Sequence, residues 1–294
     1  MSRKKKYVIE FGTFFMTLFL VIILLNIFLT PQKAQFGKLS LQSKKEPDIY
    51  YVAIGDSLTE GVGDTTGSGG FIPIVKQEVE EKYDVNVKTE NFGVSGNTST
   101  QILSRLDKKD KIKEGMKKAD FITITVGGND VMKVIREDFF KLSQKSFDKP
   151  MVEYQARIQK LLFEIRELND KAPIYVVGIY NPFYLNFPEI TTMQDVINNW
   201  NDATQKVVEA EGNSYFIPIN DLLYKGIDGE KGIAELNKTT SSSSSTSKNQ
   251  KPETITNDAL YEGDSFHPNN LGYEIMANAV VKELGQTKNR WINH

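Results

Sequence analysis

Short apolar runs recur along the chain from residue 48 onward. The clearest covers residues 49–54 and is typical of a strand buried on both faces of a parallel sheet. Similar runs predict four further strands, at residues 85–91, 121–126, 174–179 and 215–219. Because a sheet of this kind buries both faces, helices are expected on each side of it.

Segments with helical periodicity separate the apolar runs. The clearest has apolar residues three or four positions apart, at Ile158, Leu161, Leu162, Ile165 and Leu168. Further helices are predicted at 71–83, 130–146, 195–211 and about 270–284. Alternating strands and helices indicate an α/β fold, a three-layer α/β/α sandwich around a mostly parallel five-stranded sheet. Ligands of such sheets bind at the carboxyl ends of the strands.

An uncharged apolar segment, residues 11–30, precedes this domain. It is long enough to cross, as a helix, a hydrocarbon core about 30 Å thick. Basic residues at 3–6 stand before it, so residues 1–10 are expected to form a cytoplasmic tail and the rest to lie outside. We therefore predict a single-pass signal anchor in the cell membrane. A cleaved signal peptide is the alternative, although residues 29–32 match a cleavage site poorly.

Two polar segments are expected to lie outside the packed core. Residues 31–47 predict a linker between the anchor and a globular domain at 48–288, with 289–294 as a C-terminal tail. Residues 237–257 include five consecutive serines at 241–245 and are too polar to bury a core. We interpret them as a flexible surface insertion, with a lid or substrate-gating role as the alternative.

Composition excludes several classes of ligand and cofactor. A net charge of −2 over 294 residues leaves no electrostatic footprint for nucleic acid. Cysteine is absent and there are two histidines, His267 and the C-terminal His294, too few for a typical zinc site. The sequence contains no dinucleotide or phosphate loop motif. We therefore expect no cofactor and no metal, and nothing in the sequence indicates an oligomeric state.

Four short motifs follow predicted strands or precede a predicted helix. They are Gly55-Asp56-Ser57-Leu58, then residues 91–98, then Gly127-Gly128-Asn129-Asp130, and finally Asp264-Ser265-Phe266-His267. Taken singly, each has a structural interpretation as a turn, a helix cap or a surface histidine. If the protein is a serine hydrolase, the sequence also identifies its base. A serine needs a base to become a nucleophile, and His267 is the one histidine inside the predicted domain.

In this order the motifs resemble the GDSL, or SGNH, hydrolase family over about residues 51–284, most closely its lysophospholipase and esterase branch. The resemblance implies a flavodoxin-like sheet. It also implies Ser57 as nucleophile, His267 as general base and acid, and Asp264 as the carboxylate that orients the imidazole. The implied oxyanion hole consists of the backbone N–H groups of Ser57 and Gly96 and the side-chain amide of Asn129. Asp56 and Asp130 are assigned to structural hydrogen bonds.

The function implied is that of an outward-facing serine esterase, a lipase-like acylhydrolase working through an acyl-enzyme. Its expected partners are a small-molecule, lipid or cell-envelope ester and, through the N-terminal helix, the membrane. An acyltransferase with the same triad and an envelope acceptor is one alternative, and a non-catalytic envelope binding protein is another. The apolar and aromatic segment at 181–188 is interpreted as a packed loop, with an acyl pocket as its alternative.

Overall fold

The computed structural model describes residues 48–138, 141–182, 184, 191–224 and 257–292. The predicted membrane anchor at 11–30, its basic tail and the linker lie outside the described residues. So does the Ser/Thr-rich insertion apart from Asn257. Across the described ranges, no helix is long and apolar enough to span a membrane.

Five parallel strands form one sheet. They are β1 (Asp48–Gly55), β2 (Asn86–Gly93), β3 (Phe121–Thr125), β4 (Ile174–Val177) and β5 (Ser214–Ile217). Their order in the sheet is β2-β1-β3-β4-β5, which is the flavodoxin-like doubly wound order. The predicted five-stranded sheet is therefore confirmed, and every strand pair in it is parallel.

Helices connect the strands. In chain order they are α1 (Ser57–Glu60), α2 (Phe71–Tyr83), α3 (Ser99–Lys108), α4 (Asp110–Lys118), α5 (Gly128–Glu137), α6 (Asp148–Leu168), α7 (Thr191–Ala210), α8 (Asn220–Leu223) and α9 (Asn270–Gln286). Short 3-10 helices lie at Gln144–Phe147 and Lys288–Arg290. Apolar residues of α3 to α7 form one core with the sheet, and those of α2, α8 and α9 form a second. The two cores lie between the sheet and the helices on either side of it, as expected for a three-layer sandwich.

Successive residues of β1 face opposite cores. Ile54 joins the core of α3 to α7, whereas Tyr51 joins the core of α2 and α9. Tyr51 stacks on Phe121 with ring centroids 4.5 Å apart, and Trp291 packs edge-on against the same ring. Trp291 is fully buried. The domain therefore extends beyond residue 288, where the sequence placed its end.

β4 and β5 both end two residues earlier than predicted. The last pair between them is Val177 with Ile217. Beyond it, the side chain of Asn201 accepts a hydrogen bond from the Ile179 N–H at 2.9 Å and donates to the Ile179 carbonyl at 2.8 Å. The amide thus replaces the strand partner at that residue. β2 differs in another way, because it is an edge strand in which Val87 is the one buried residue.

The helix predicted over 71–83 is confirmed at both ends, but the one predicted over 130–146 is divided. α5 begins two residues earlier, at Gly128, and ends at Glu137. The 3-10 helix at Gln144–Phe147 follows as a separate element, capped by the hydroxyl of Ser143. A cap inside the predicted span marks a second helix start, which the apolar periodicity did not register.

Candidate active site

Ser57 lies where the strand order reverses. β1 has β2 on one side and β3 on the other, and this switch point is where doubly wound sheets bind ligands. Ser57 is the first residue of α1, two positions after β1 ends. A side chain at Gly55 would collide with Thr125, so the glycine lets β1 and β3 run together up to the site.

Ser57, His267 and Asp264 are hydrogen-bonded in a line, although 210 residues separate the serine from the histidine. His267 Nε2 lies 2.9 Å from Ser57 Oγ, and His267 Nδ1 lies 2.6 Å from Asp264 Oδ2. With its proton on Nδ1, facing the carboxylate, the ring presents Nε2 as an acceptor to the serine hydroxyl. The structure therefore brings together the three residues that the resemblance assigns to catalysis.

Asp264 closes the turn that carries His267. Its Oδ1 accepts hydrogen bonds from the backbone N–H groups of Phe266 at 2.9 Å and His267 at 3.0 Å, which leaves Oδ2 for the imidazole. Burial acts to raise the pKa of Asp264. The hydrogen bonds from the His267 ring and the two backbone amides outweigh it and hold that pKa below its ordinary value. The carboxylate is therefore charged near neutral pH and can stabilise an imidazolium.

Tyr180 supports the same turn from the end of β4. Its buried hydroxyl donates to the carbonyl of Phe266 at 2.6 Å. On the other side, the Tyr261 N–H donates to the His267 carbonyl at 2.7 Å. The backbone is thus fixed on both sides of the imidazole. Sequence reasoning missed Tyr180, since a tyrosine that follows an apolar strand carries no signal of what its hydroxyl contacts.

Asn129 lies beside the serine. Both residues line one cavity, and Asn129 Nδ2 donates to the Asn97 carbonyl at 3.0 Å. An amide nitrogen carries two N–H groups, so one anchors the side chain and the other is left to meet a ligand oxygen. Gly96 precedes Asn97 and has a φ of +77°, which favours glycine. Gly96 is not among the residues that line the cavity and is linked to Asn129 through its neighbour Asn97.

The loop that carries Gly96 is tied to the end of β1. The carboxylate of Glu60 accepts a hydrogen bond from the Ser95 N–H. The guanidinium of Arg105 donates to the Gly55 carbonyl at 3.3 Å and to Asn97 Oδ1 at 3.1 Å. These contacts fix the second motif relative to the first. Neither Glu60 nor Arg105 was singled out from the sequence, although Glu60 closely follows Ser57.

Asp56 and Asp130 bind neighbouring groups of the protein. Asp56 Oδ1 accepts from the Leu58 N–H at 3.1 Å and from Thr125 Oγ1 at 2.7 Å, which joins α1 to β3. Asp130 accepts from the Ser99 N–H at 2.8 Å and from its hydroxyl at 2.6 Å, which joins α5 to α3. Burial raises the pKa of Asp56, against the hydrogen bonds from Thr125 and the backbone. Both contacts are of the structural kind expected of these two residues.

The cavity beside Ser57 has a volume of about 440 Å³, part of it open to solvent. Its walls are largely apolar, with Leu58, Val126 and Phe266 among them. Of segment 181–188, Pro182 also lines it. Residues 183 and 185–190 lie outside the described part of the chain. Within the described part, His, Asp and Glu side chains form no group of three or more suited to a metal ion.

The fold and the site together define a class of protein, the α/β/α hydrolases with a serine at the carboxyl edge of a parallel sheet. The family follows from comparison with known sequences. The chain belongs to the GDSL-like Lipase/Acylhydrolase family, whose model matches residues 53–275. It is accordingly a carboxylic ester hydrolase.

Individual relatives support this assignment. The chain is 31% identical over 243 residues to "Uncharacterized protein YpmR" of Bacillus subtilis, covering 83% of this chain and 84% of that one. It is 25% identical over 241 residues to an acetylxylan esterase of Geobacillus stearothermophilus, covering 79% and 92%. The crystal structure of the lipase Lip_vut3 from a goat rumen metagenome superposes with a TM-score of 0.62 at 26% identity, covering 79% and 95%. The chain is thus similar both to a lipase and to an acetyl esterase.

Proposed function

We propose that the protein is a serine esterase in which Ser57, His267 and Asp264 form a catalytic triad. The observation that carries this proposal is the hydrogen-bonded line from Asp264 through His267 to Ser57 at the switch point of the sheet. Nucleophile, base and orienting carboxylate in that sequence are what an acyl-transfer site requires.

The proposed reaction runs in two halves through one acyl-enzyme. Ser57 Oγ attacks the ester carbonyl carbon while His267 Nε2 takes the hydroxyl proton. The charge that develops on the carbonyl oxygen is met by the N–H groups of Ser57 and Gly96 and the amide of Asn129. His267 then returns the proton to the leaving alcohol. Water attacks the acyl-enzyme with the same base, which releases the carboxylic acid and restores Ser57.

The test is to trap the nucleophile in the full chain with a fluorophosphonate and to follow p-nitrophenyl ester hydrolysis in parallel. The expected result is a single covalent adduct that peptide mass spectrometry places on Ser57, with turnover lost in step with labelling. An adduct on another residue, or ester turnover that survives complete labelling of Ser57, would overturn the proposal. Acyl transfer to an added alcohol in preference to water would favour the transferase alternative.

Replacing Asn129 with alanine is expected to lower kcat by about 10²–10³, because one oxyanion donor is worth roughly 2.7–4 kcal/mol in a serine hydrolase. The KM should change little, since this donor acts mainly on charge that develops in the transition state. The matched control is Asn86→Ala. Asn86 is the first residue of β2, at the end of the strand away from the site, and its side chain donates to Asp48. Equal turnover in Asn129→Ala and wild type would remove Asn129 from the oxyanion hole.

We also propose that the domain faces outward from the cell membrane, held by residues 11–30. The support is the length of that uncharged apolar segment and the basic residues at 3–6 before it. The full chain is expected to stay with the membrane fraction after alkaline carbonate extraction and to be digested by protease added to intact spheroplasts. A chain released by carbonate, or protected until the spheroplasts are lysed, would contradict this orientation.

A further inference from the structure

The cavity beside Ser57 adjoins a second one. This second cavity, which we call the distal cavity, encloses about 290 Å³ of non-protein space, part of it open to solvent. It shares with the first the residues Gly128, Ile179, Tyr180, Pro182 and Phe266. Cavities that share five wall residues lie side by side, the first at Ser57 and the second farther from it; we call the pair the passage.

The described residues that line the distal cavity are mostly apolar. Helix α5 contributes Val131, Met132 and Ile135, and helix α7 contributes Met193 and Ile197. The described residues that line it include no charged side chain, and Asn181 is the one amide among them. A sugar or a charged group would lose its hydration here without compensating hydrogen bonds, whereas a hydrocarbon chain would not. Methionine side chains can also adapt their shape to such a chain.

Gly128 stands in the wall that both cavities share. A Cβ built on this glycine would have its nearest neighbour, Ile179 Cγ2, only at 4.0 Å, so close packing does not require a glycine here. Its φ also lies outside the range that L side chains avoid. With no side chain at 128, space is left between α5 and the end of β4, along the route from Ser57 to the distal cavity.

We infer that the two cavities hold the acyl chain of the substrate, and that the enzyme prefers esters of straight, medium-length acyl chains to acetyl esters. This rests on the proposed function, because Ser57 is taken to fix the ester carbonyl at the mouth of the passage. An acetyl group reaches only the first cavity. Each methylene of a longer chain that enters the apolar passage should raise kcat/KM by about fourfold.

The kinetic test measures kcat/KM for p-nitrophenyl octanoate and acetate below the concentration at which the octanoate forms micelles. Wild type should favour octanoate by at least about tenfold. Met132→Trp, which fills the distal cavity, should lower the octanoate-to-acetate ratio by about tenfold or more, and Ile135→Ala, which widens it, should favour decanoate over octanoate. Val152→Trp, 63% exposed on α6 and outside both cavities, should leave the ratio unchanged.

A binding measurement separates this inference from the proposed chemistry. Sodium octanoate, titrated calorimetrically into full-length Ser57→Ala, should bind well above the level of sodium acetate, and the added Met132→Trp change should weaken binding about tenfold. If octanoate binds but wild type turns over no ester, the catalytic proposal is wrong and the inference of an acyl passage is retained. Acetate preferred by wild type, or equal octanoate affinity with and without Met132→Trp, would overturn the passage.

Discussion

Replacing Ser57 with alanine is expected to lower kcat for p-nitrophenyl esters by about 10⁶, the scale seen when a serine protease loses its nucleophile. The substitution removes the oxygen proposed to form the acyl-enzyme and leaves His267 with no hydroxyl to activate. It should not unfold the site, because α1 is held by the Asp56 carboxylate on the Leu58 N–H rather than by the serine hydroxyl. Steady-state hydrolysis by the full chain gives the measurement, with thermal denaturation to show that the fold is kept.

The matched control for this prediction is Ser104→Ala. Ser104 lies within α3, away from the three residues of the line, and the same atom is removed. Turnover by this control should equal that of wild type. A Ser57→Ala protein that keeps even a hundredth of wild-type kcat, in a preparation free of contaminating esterase, would show that another group attacks the ester.

The second large effect is expected for Asp264→Asn, a loss of about 10⁴ in kcat. The asparagine can still accept the backbone N–H bonds of Phe266 and His267 through its oxygen. Its amide nitrogen would then face His267 Nδ1 as a donor, which favours the ring tautomer with the proton on Nε2. That tautomer cannot accept the proton of Ser57. The turn should therefore survive while the base is lost, and kcat of the two proteins is the quantity to compare.

The lowered pKa of Asp264 also predicts how its contribution to the stability of the fold depends on pH. A carboxyl whose native pKa is lowered contributes stability at pH values above its ordinary pKa, and loses it as the pH falls through the lowered native value. The greater unfolding free energy of wild type over Asp264→Asn should thus still be present at pH 5 and shrink as the pH falls below the ordinary carboxyl value of 3.8. Urea denaturation measures it, with the exposed Asp202→Asn on α7 as control. A difference that vanishes near pH 6 would mean that Asp264 is not held charged.

The strands and the longer helices were predictable because their signal is local. α2 has its buried residues, Phe71, Ile72, Val75 and Val79, within a single helical stripe. Helices α3 and α4 were not predicted, although Ile102, Leu103 and Leu106 have helical spacing. They are 10 and 9 residues long, and charged residues surround their few apolar positions. An apolar stripe that short favours a helix only when it packs on the sheet.

The active site likewise contains residues that the sequence predicted and residues that it did not. The order of four motifs was enough to select Ser57, Asn129, Asp264 and His267, because each motif is contiguous in the chain. The groups that hold them are distant, since Tyr180 contacts a carbonyl 86 residues away and Arg105 one that is 50 residues away. Such contacts follow from the register of β1, β3 and β4, which no single segment of the sequence encodes.

The separation of Ser57 from His267 in the chain has a consequence for the order of events during synthesis. All five strands precede residue 218, whereas the base arrives with the turn before α9. Under the proposed mechanism, a growing chain that has assembled its entire sheet still lacks its base, because His267 is synthesised later; α9 must then dock against α2 to close the second core. Under the same mechanism, a chain truncated or stalled before residue 267 could not hydrolyse esters, and activity would begin only when the last helix is in place.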